Sequence, residues 1–482
     1  MTDEQRPSLL STSPPETWRP ARRAAQALSR PIERFLHVEA ASGILLILAA
    51  AIALIWANSP WHGSYEGLWH TPLSISLGEW RMEHDLHFWI NDLLMTVFFL
   101  LAGLEIKREL VHGALSDIRR AALPVLAAIG GMLVPAAIFI AVNTGGAGIG
   151  GWGVPMATDI AFAVGILTLL GKRVHPSLRV LLLAFAIIDD VGAILVIAIF
   201  YSSGIALVGL EVAAAGLLLA LIFLWIGVRP GIIFAAPLLI MWGGLLHAGV
   251  HPTIAGVVLG LVIPARSWYG PTGFMLTAQR ALEEFQRRVA EGHHDHDLLA
   301  PLGEIETAQR EAVSPGIRLE AALHPWVAFG IMPLFALANA GVNVRGLDFA
   351  VPGSSTVLFG VALGLLLGKP VGVLLLSWLS VRLRLSVLPQ GVSWGGMVVM
   401  GFAGGIGFTM AIFISELAYR GSELLDMAKL GVLAATGAAG MIAYVGGRLI
   451  LRPPPVALAQ DDLTETVAEA EALWTVDGAP AT

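Results

Sequence analysis

Four ionisable side chains lie deep inside long apolar runs of this 482-residue chain: Asp159, Asp189, Asp190 and Lys369. Asp189 and Asp190 are adjacent, near the middle of the apolar stretch 178–200, in the run Ala184-Phe185-Ala186-Ile187-Ile188-Asp189-Asp190-Val191-Gly192. About 20 apolar residues are enough to cross a bilayer. An aspartate at mid-membrane costs at least ~2.5–3.5 kcal/mol, and such groups pair with one another or line a water-filled path. One lysine against three aspartates leaves an excess of negative charge, which suits a cation. A structural salt bridge would account for one aspartate, not three.

The composition supplies the membrane. The chain is 56% hydrophobic and 13% charged, against roughly 25% charged for soluble domains. It has no cysteine, which excludes a disulfide framework, a Cys-ligated metal and thiol chemistry. Nothing in it points to nucleic acid. Apolar segments predict an all-α polytopic membrane protein of about twelve spans, near 41–58, 86–106, 121–142, 153–170, 178–200, 205–227, 231–247, 252–264, 325–342, 355–380, 395–418 and 427–450. Lys and Arg alternate between rich and poor loops. Lys107, Arg108, Arg119 and Arg120, then Lys172, Arg173 and Arg179, then Arg266 through Arg318, fall on one side, with few on the other. By the positive-inside rule both termini are cytoplasmic.

Two spans carry helix breakers at their centres. The fourth contains Gly151-Trp152-Gly153-Val154-Pro155-Met156-Ala157-Thr158-Asp159, and the eleventh Gly401-Phe402-Ala403-Gly404-Gly405-Ile406-Gly407-Phe408-Thr409. Proline removes a helix donor, and glycine costs up to ~1 kcal/mol in a helix relative to alanine. The breaks occupy corresponding places in spans 3–5 and 10–12. These trios lie seven spans apart and so run in opposite senses through the bilayer. That is the pattern of inverted repeats with two discontinuous, crossing helices and a mid-membrane site. A break exposes one positive and one negative helix end; Asp159 suits the first and Lys369 the second.

Outside the spans, residues 1–35 read as a cytoplasmic tail and 36–452 as the membrane domain. The external loop 59–85 includes 66–80, which is compatible with a β-hairpin turning near Thr71-Pro72 or with an ordered loop. The cytoplasmic loop 266–316 is long, with a helix expected over 278–290. Its tract His293-His294-Asp295-His296-Asp297 could hold a transition metal weakly, but reads better as a solvated linker. Residues 453–482 open with three prolines and turn acidic, as disordered tails do.

Several stretches are similar to those of the NhaA-type sodium/proton antiporters: Gly103-Leu104-Glu105-Ile106-Lys107-Arg108-Glu109-Leu110, Ala157-Thr158-Asp159-Ile160-Ala161-Phe162, Ala186-Ile187-Ile188-Asp189-Asp190, Gly249-Val250-His251, Leu323-His324-Pro325-Trp326, Phe335-Ala336-Leu337-Ala338-Asn339-Ala340-Gly341, Gly368-Lys369-Pro370 and Gly404-Gly405-Ile406-Gly407-Phe408-Thr409. The resemblance implies an electrogenic transporter, not an enzyme, that exports Na⁺ or Li⁺ in exchange for H⁺ by alternating access, with activity rising with pH. It implies that Asp190 is the principal ion ligand, Asp189 the second titrating acid exchanging with Lys369, and Thr158 an accessory oxygen. Asp159 and Lys369 would serve proton coupling and charge compensation, and Glu105, Glu109, His251 and Glu320 the pH response. It further implies a bacterial inner-membrane homodimer paired through the hairpin at 66–80, surrounded by lipid and needing no cofactor. The long 266–316 loop and the extended tail depart from the family pattern. Two other readings compete: an intramembrane aspartyl protease, which would pair Asp159 with Asp189 or Asp190, and a sodium-coupled solute symporter.

Overall fold

In lipid every backbone N–H and C=O must be satisfied within the chain, so spanning segments become helices wherever the sequence allows it. The computed structural model describes residues 39–451 apart from 79, 203, 205, 229, 230 and 293. The tails expected at 1–35 and 453–482 lie outside the described residues. Helix α1 (Glu39–Ala57) is followed by a short α2 (His62–Trp69), a two-stranded hairpin β1 (Pro72–Leu77) and β2 (Trp80–Asp85), and then α3 (Leu86–His112). Next come α4 (Ile118–Val142), a 3₁₀ segment Ala147–Met156 with α5 (Ile160–Leu169), α6 (Pro176–Phe200), α7 (Leu207–Trp225), α8 (Ala235–Ala248) and α9 (Ile254–Val262). A helix pair α10 (Gly270–Ala290) and α11 (Asp295–Ala312) leads to α12 (Pro315–Trp326) and α13 (Met332–Asn339). The chain closes with α14 (Ser354–Leu363), α15 (Lys369–Arg382), α16 (Trp394–Gly404), α17 (Phe408–Ala418) and α18 (Leu424–Ile450).

The local sequence marks several of these starts. The Asp85 side chain accepts from Phe88 N at 2.8 Å and Ser393 from Gly396 N at 3.1 Å, while Pro176 and Pro315 occupy first turns, where a missing N–H costs nothing. The hairpin pairs Pro72 with Asp85 and Leu77 with Trp80. It therefore lies later than 66–80, whose first residues belong to α2. Its turn falls at Gly78, at φ +63°, not at Thr71-Pro72: proline starts a strand well because a first strand residue can lack a donor.

Among the described residues, eight helices are long and apolar enough to cross a bilayer, and three bent helix pairs raise the number to eleven. The bent pairs are α1 with α2 at 118°, the 3₁₀ segment with α5 at 47°, and α16 with α17 at 43°. The expected span not among these eleven is the eighth, α9, which at nine residues is ~14 Å long, against the ~30 Å of a bilayer core. It lies between Pro252 and Pro264 and packs closely onto α3. A Cβ at Gly103 would stand 2.7 Å from Val257 O, and one at Gly260 2.7 Å from Leu100 O.

The apolar side chains form two cores. The smaller joins α3, α7, α8 and α9 through Trp89, Leu100, Leu104, Leu238, Met241, Trp242 and Leu259. The larger contains α4–α6 and α14–α18 with α1 and α13 packed against them, and α3 borders both. At the centre of the larger core α4 crosses α15 at Gly130 and Gly372, where a Cβ on either glycine would strike the other's carbonyl. Gly372→Val is expected to wedge these helices apart at ~1–3 kcal/mol, the usual range for overpacking. It should lower the melting temperature of the detergent-purified protein by several degrees, whereas Gly437→Val, on an open face of α18, should not. Equal melting curves for the two would show that the crossing is loose.

Candidate functional site

The two breaks meet. The 3₁₀ segment ends at Met156, Ala157 is extended, and Asp159 N-caps α5 by accepting from Phe162 N at 3.0 Å. Across from it α16 ends at Gly404 and α17 begins at Phe408. Asp159 N donates to Ile406 O at 2.7 Å, and Thr158 Oγ1 donates to Gly404 O at 2.8 Å. Thr409 donates to Asp159 Oδ2 twice, through Oγ1 at 2.5 Å and N at 3.2 Å. One carboxylate thus answers the N-termini of both α5 and α17, where the helix dipoles are positive. Glycine is required at the second break for closeness: a Cβ at Gly405 would lie 2.6 Å from Leu365 O.

Lys369 answers the opposite pole. It follows a π-turn, Gly364–Gly368, and is fully buried. Its Nζ donates to Met156 O, the carbonyl end of the first half-helix, and to Asp189 Oδ2 at 2.7 Å. The ammonium stands 5.9 Å from the centre of the Phe185 ring. Asp189 and Asp190 are buried on α6. Asp189 Oδ1 and Asp190 Oδ1 have no hydrogen-bond partner among the described residues. The negative charges acting on Asp190 are those of Asp189, Glu105 and Asp159. The arrangement therefore places the Lys369–Asp189 ion pair beside a second carboxylate, and each aspartate keeps one oxygen, Oδ1, without a partner among the described residues. It suits reversible capture of a proton or a hard cation. It does not suit an aspartyl-protease pair, because Asp159 is consumed by the two helix starts.

A family model described as Na⁺/H⁺ antiporter 1 matches residues 33–446. The chain belongs to this antiporter family. It is 54% identical over 465 residues to the Na⁺/H⁺ antiporter NhaA 2 of Sorangium cellulosum, covering 96% of this chain and 98% of that one. It is 48% identical over 438 residues to the Na⁺/H⁺ antiporter NhaA of a Janthinobacterium species, covering 91% and 97%. A solved structure, the sodium proton antiporter MjNhaP1 of Methanocaldococcus jannaschii, aligns at TM-score 0.42 and 15% identity over 85% of this chain and 92% of that one. That likeness is too loose to build on. Family membership and the apolar helices together make this a membrane protein.

The residues that the antiporter resemblance assigns to a pH response do not form one cluster. Glu105 and Glu109 lie one turn apart near the end of α3, and Arg108 pairs with Glu320 of α12. His251 lies at the other end of α3, near Asp92, ~20 Å away along the helix axis. It is buried rather than exposed at a loop end. Its Nδ1 is 2.9 Å from Thr253 Oγ1, and its ring packs edge-on against Phe413. Burial pushes its imidazole down to about 3, and Arg420 adds to the effect. The histidine tract forms no metal site among the described residues; it opens α11 in place of the expected linker, and His293 lies outside the described residues.

Sequence reasoning passed over Asp92 and Glu416. Both are buried within predicted spans, and acids inside apolar segments were the available signal. It also could not supply the carbonyls of Met156, Gly404 and Ile406, because any residue carries one.

Removing one partner of a buried ion pair typically costs ~3–5 kcal/mol. Lys369→Gln is expected to lose stability on that scale, leaving both Asp189 and the Met156 carbonyl end unanswered. Lys369→Gln with Asp189→Asn should recover most of it in thermal unfolding of the purified protein. A double variant no more stable than the single one would show that the two side chains are not coupled.

Proposed function

We propose that this protein is an electrogenic Na⁺/H⁺ antiporter, also accepting Li⁺, that exports the metal ion from a bacterial cell in exchange for protons. The observation that carries the reading is the Asp190 carboxylate, 4% exposed and without a hydrogen-bond partner at Oδ1, beside the Lys369–Asp189 pair. A buried carboxylate left in that state takes a proton or a cation, and the two compete for the same oxygens. Asp190 is the principal ligand, Asp189 supplies a second oxygen once it leaves Lys369, and Thr158 offers its hydroxyl. If one Na⁺ displaces protons from two of these groups, more than one H⁺ moves per Na⁺, and the membrane potential drives the exchange.

Competition becomes antiport when the site faces one side at a time. The reading of spans 3–5 and 10–12 as inverted repeats supports this. So do the reciprocal Gly130–Gly372 crossing and the two breaks of similar bend, 47° and 43°. The arginines of 266–318 favour a cytoplasmic position for the α10–α11 end of the bundle, with both termini on that side of an inner membrane. The hairpin's open strand edges suit pairing with a second copy. Activation with pH is assigned to Glu105, Glu109 and Glu320 near one end and His251 near the other. His251 faces Asp92 and Arg420, and stays neutral until its end of the bundle opens.

Adding Na⁺ to the purified protein, with no organic solute, should release protons, which neither a protease nor a solute symporter requires. Asp190→Asn should insert normally yet lose this release and all Na⁺-dependent dissipation of a pH gradient in membrane vesicles. Robust exchange by that variant would sink the assignment. Glu320→Ala and His251→Ala should each displace the pH–activity curve; if neither moves it, neither is a sensor.

A further inference from the structure

The ion site leaves unused a second polar layer at the hairpin end of the bundle. Glu416, near the end of α17, pairs with Lys429 of α18 at 2.5 Å and lies 3.6 Å from His87 Nε2. Asp92 Oδ1 lies 3.7 Å from His251 Nε2, and Asp92 Oδ2 3.7 Å from Arg420. Asn339 donates to Asn91 at 2.7 Å, and the Asn339 carbonyl oxygen faces His87 Nε2 at 2.9 Å. Asp92, Glu416 and Lys429 are all buried.

The members of this layer belong to different parts of the fold. His87, Asn91 and Asp92 lie on α3, which borders both cores, and His251 lies just ahead of α9. Glu416, Arg420 and Lys429 belong to α17, α18 and the turn between them, which carry one of the crossed breaks. Two contacts cross between these groups: His87 to Glu416, and Asp92 to Arg420. Below the layer is an apolar gap lined by Phe99, Ile194, Ile197, Thr253, Ile254 and Val257, too tight for a water molecule. Ile194 and Ile197 follow Asp190 on α6 by about one and two turns. Phe413 joins gap and layer, packing against both Phe99 and His251. The way from Asp190 to the hairpin end is thus shut twice, by apolar contact and then by charge.

Buried ion pairs are a poor way to add stability, since well-packed apolar residues usually do as well or better. They differ from apolar contacts in what happens on separation. Asp92, Glu416 and Lys429 regain hydration when water enters, and Arg420, 65% exposed, is hydrated already, so parting this charged seam costs less than parting an apolar one. We propose that His87, Asp92, Glu416, Arg420 and Lys429 form a latch that closes the path from Asp190 to the hairpin end and parts when the ion site opens there. The latch rests on the antiport reading, because only a site that alternates needs a seam that opens.

The chain has no cysteine, so thiols can be introduced singly. Ile197→Cys, in the gap, should react with a membrane-impermeant maleimide from the hairpin side at least fivefold faster when combined with Glu416→Gln than alone. Equal rates in a folded double variant would overturn the latch. In His87→Cys/Glu416→Cys, bridging the thiols with a short bifunctional maleimide should cut Na⁺-driven proton movement at least tenfold below the same variant alkylated with a monofunctional reagent. Na⁺-induced proton release from the bridged, purified protein should persist, because binding needs one open side only. Undiminished exchange after bridging would overturn the latch. Absence of Na⁺-induced proton release from the unmodified protein would instead overturn the antiport reading beneath it.

Discussion

A helix interrupted in the middle of a bilayer leaves carbonyls and N–H groups where no water can reach them, and the central architecture here follows from satisfying those groups. Asp159 takes donors from the starts of α5 and α17, Thr158 donates to the end of α16, and Asp159 N finds the Ile406 carbonyl. Lys369 meets the carbonyl end of the 3₁₀ segment. Each break is completed partly by the other and partly by a charged side chain, so neither can be displaced alone. That mutual dependence lets the protein keep irregular backbone at membrane depth.

Once the helix ends are satisfied, the remaining polar atoms stand out. Asp159 is spent on the breaks. Lys369 is divided between a helix end and Asp189. Asp190 has no such obligation, and the free oxygen of Asp189 lies on the preceding residue. Hydrogen bonding distinguishes three chemically alike aspartates: Asp159 is engaged by both breaks, whereas Asp189 and Asp190 each keep an oxygen without a partner among the described residues. The close crossings at Gly130–Gly372 and at Gly405 bring the elements near enough for this division, since a single methyl at either place would push them apart.

The polar layer at the hairpin end is of another kind. Its charges face one another mostly at ion-pair distances of 3.6–3.7 Å, with Asp92 Oδ2, His251 Nε2 and Glu416 Oε1 lacking a hydrogen bond among the described residues, and it overlies an apolar constriction. The polar centre at the breaks is held by short hydrogen bonds, whereas the contacts across the layer at the hairpin end are longer, 3.6 and 3.7 Å.

Much of this was legible from residue types alone. Lipid allows few backbone conformations and penalises each buried charge, so the apolar runs, the breakers near Pro155 and Gly404 to Gly407, and Asp159, Asp189, Asp190 and Lys369 stood out without coordinates. The helical character and the positions of both breaks were decided at that level. Other features needed the tertiary structure. The segment at 252–264 was short for a span from its sequence; its close seat on α3, through glycines at 103, 256 and 260, came only from the fold. The hairpin's register depended on Gly78. Asp92 and Glu416 did not stand out by residue type, and only the fold shows them buried near His251, Arg420 and Lys429. Sequence reports the cost of placing a charge in an apolar segment. Which oxygens remain unsatisfied depends on contacts between residues hundreds of positions apart, such as Lys369 with Met156, and only the folded chain brings those together.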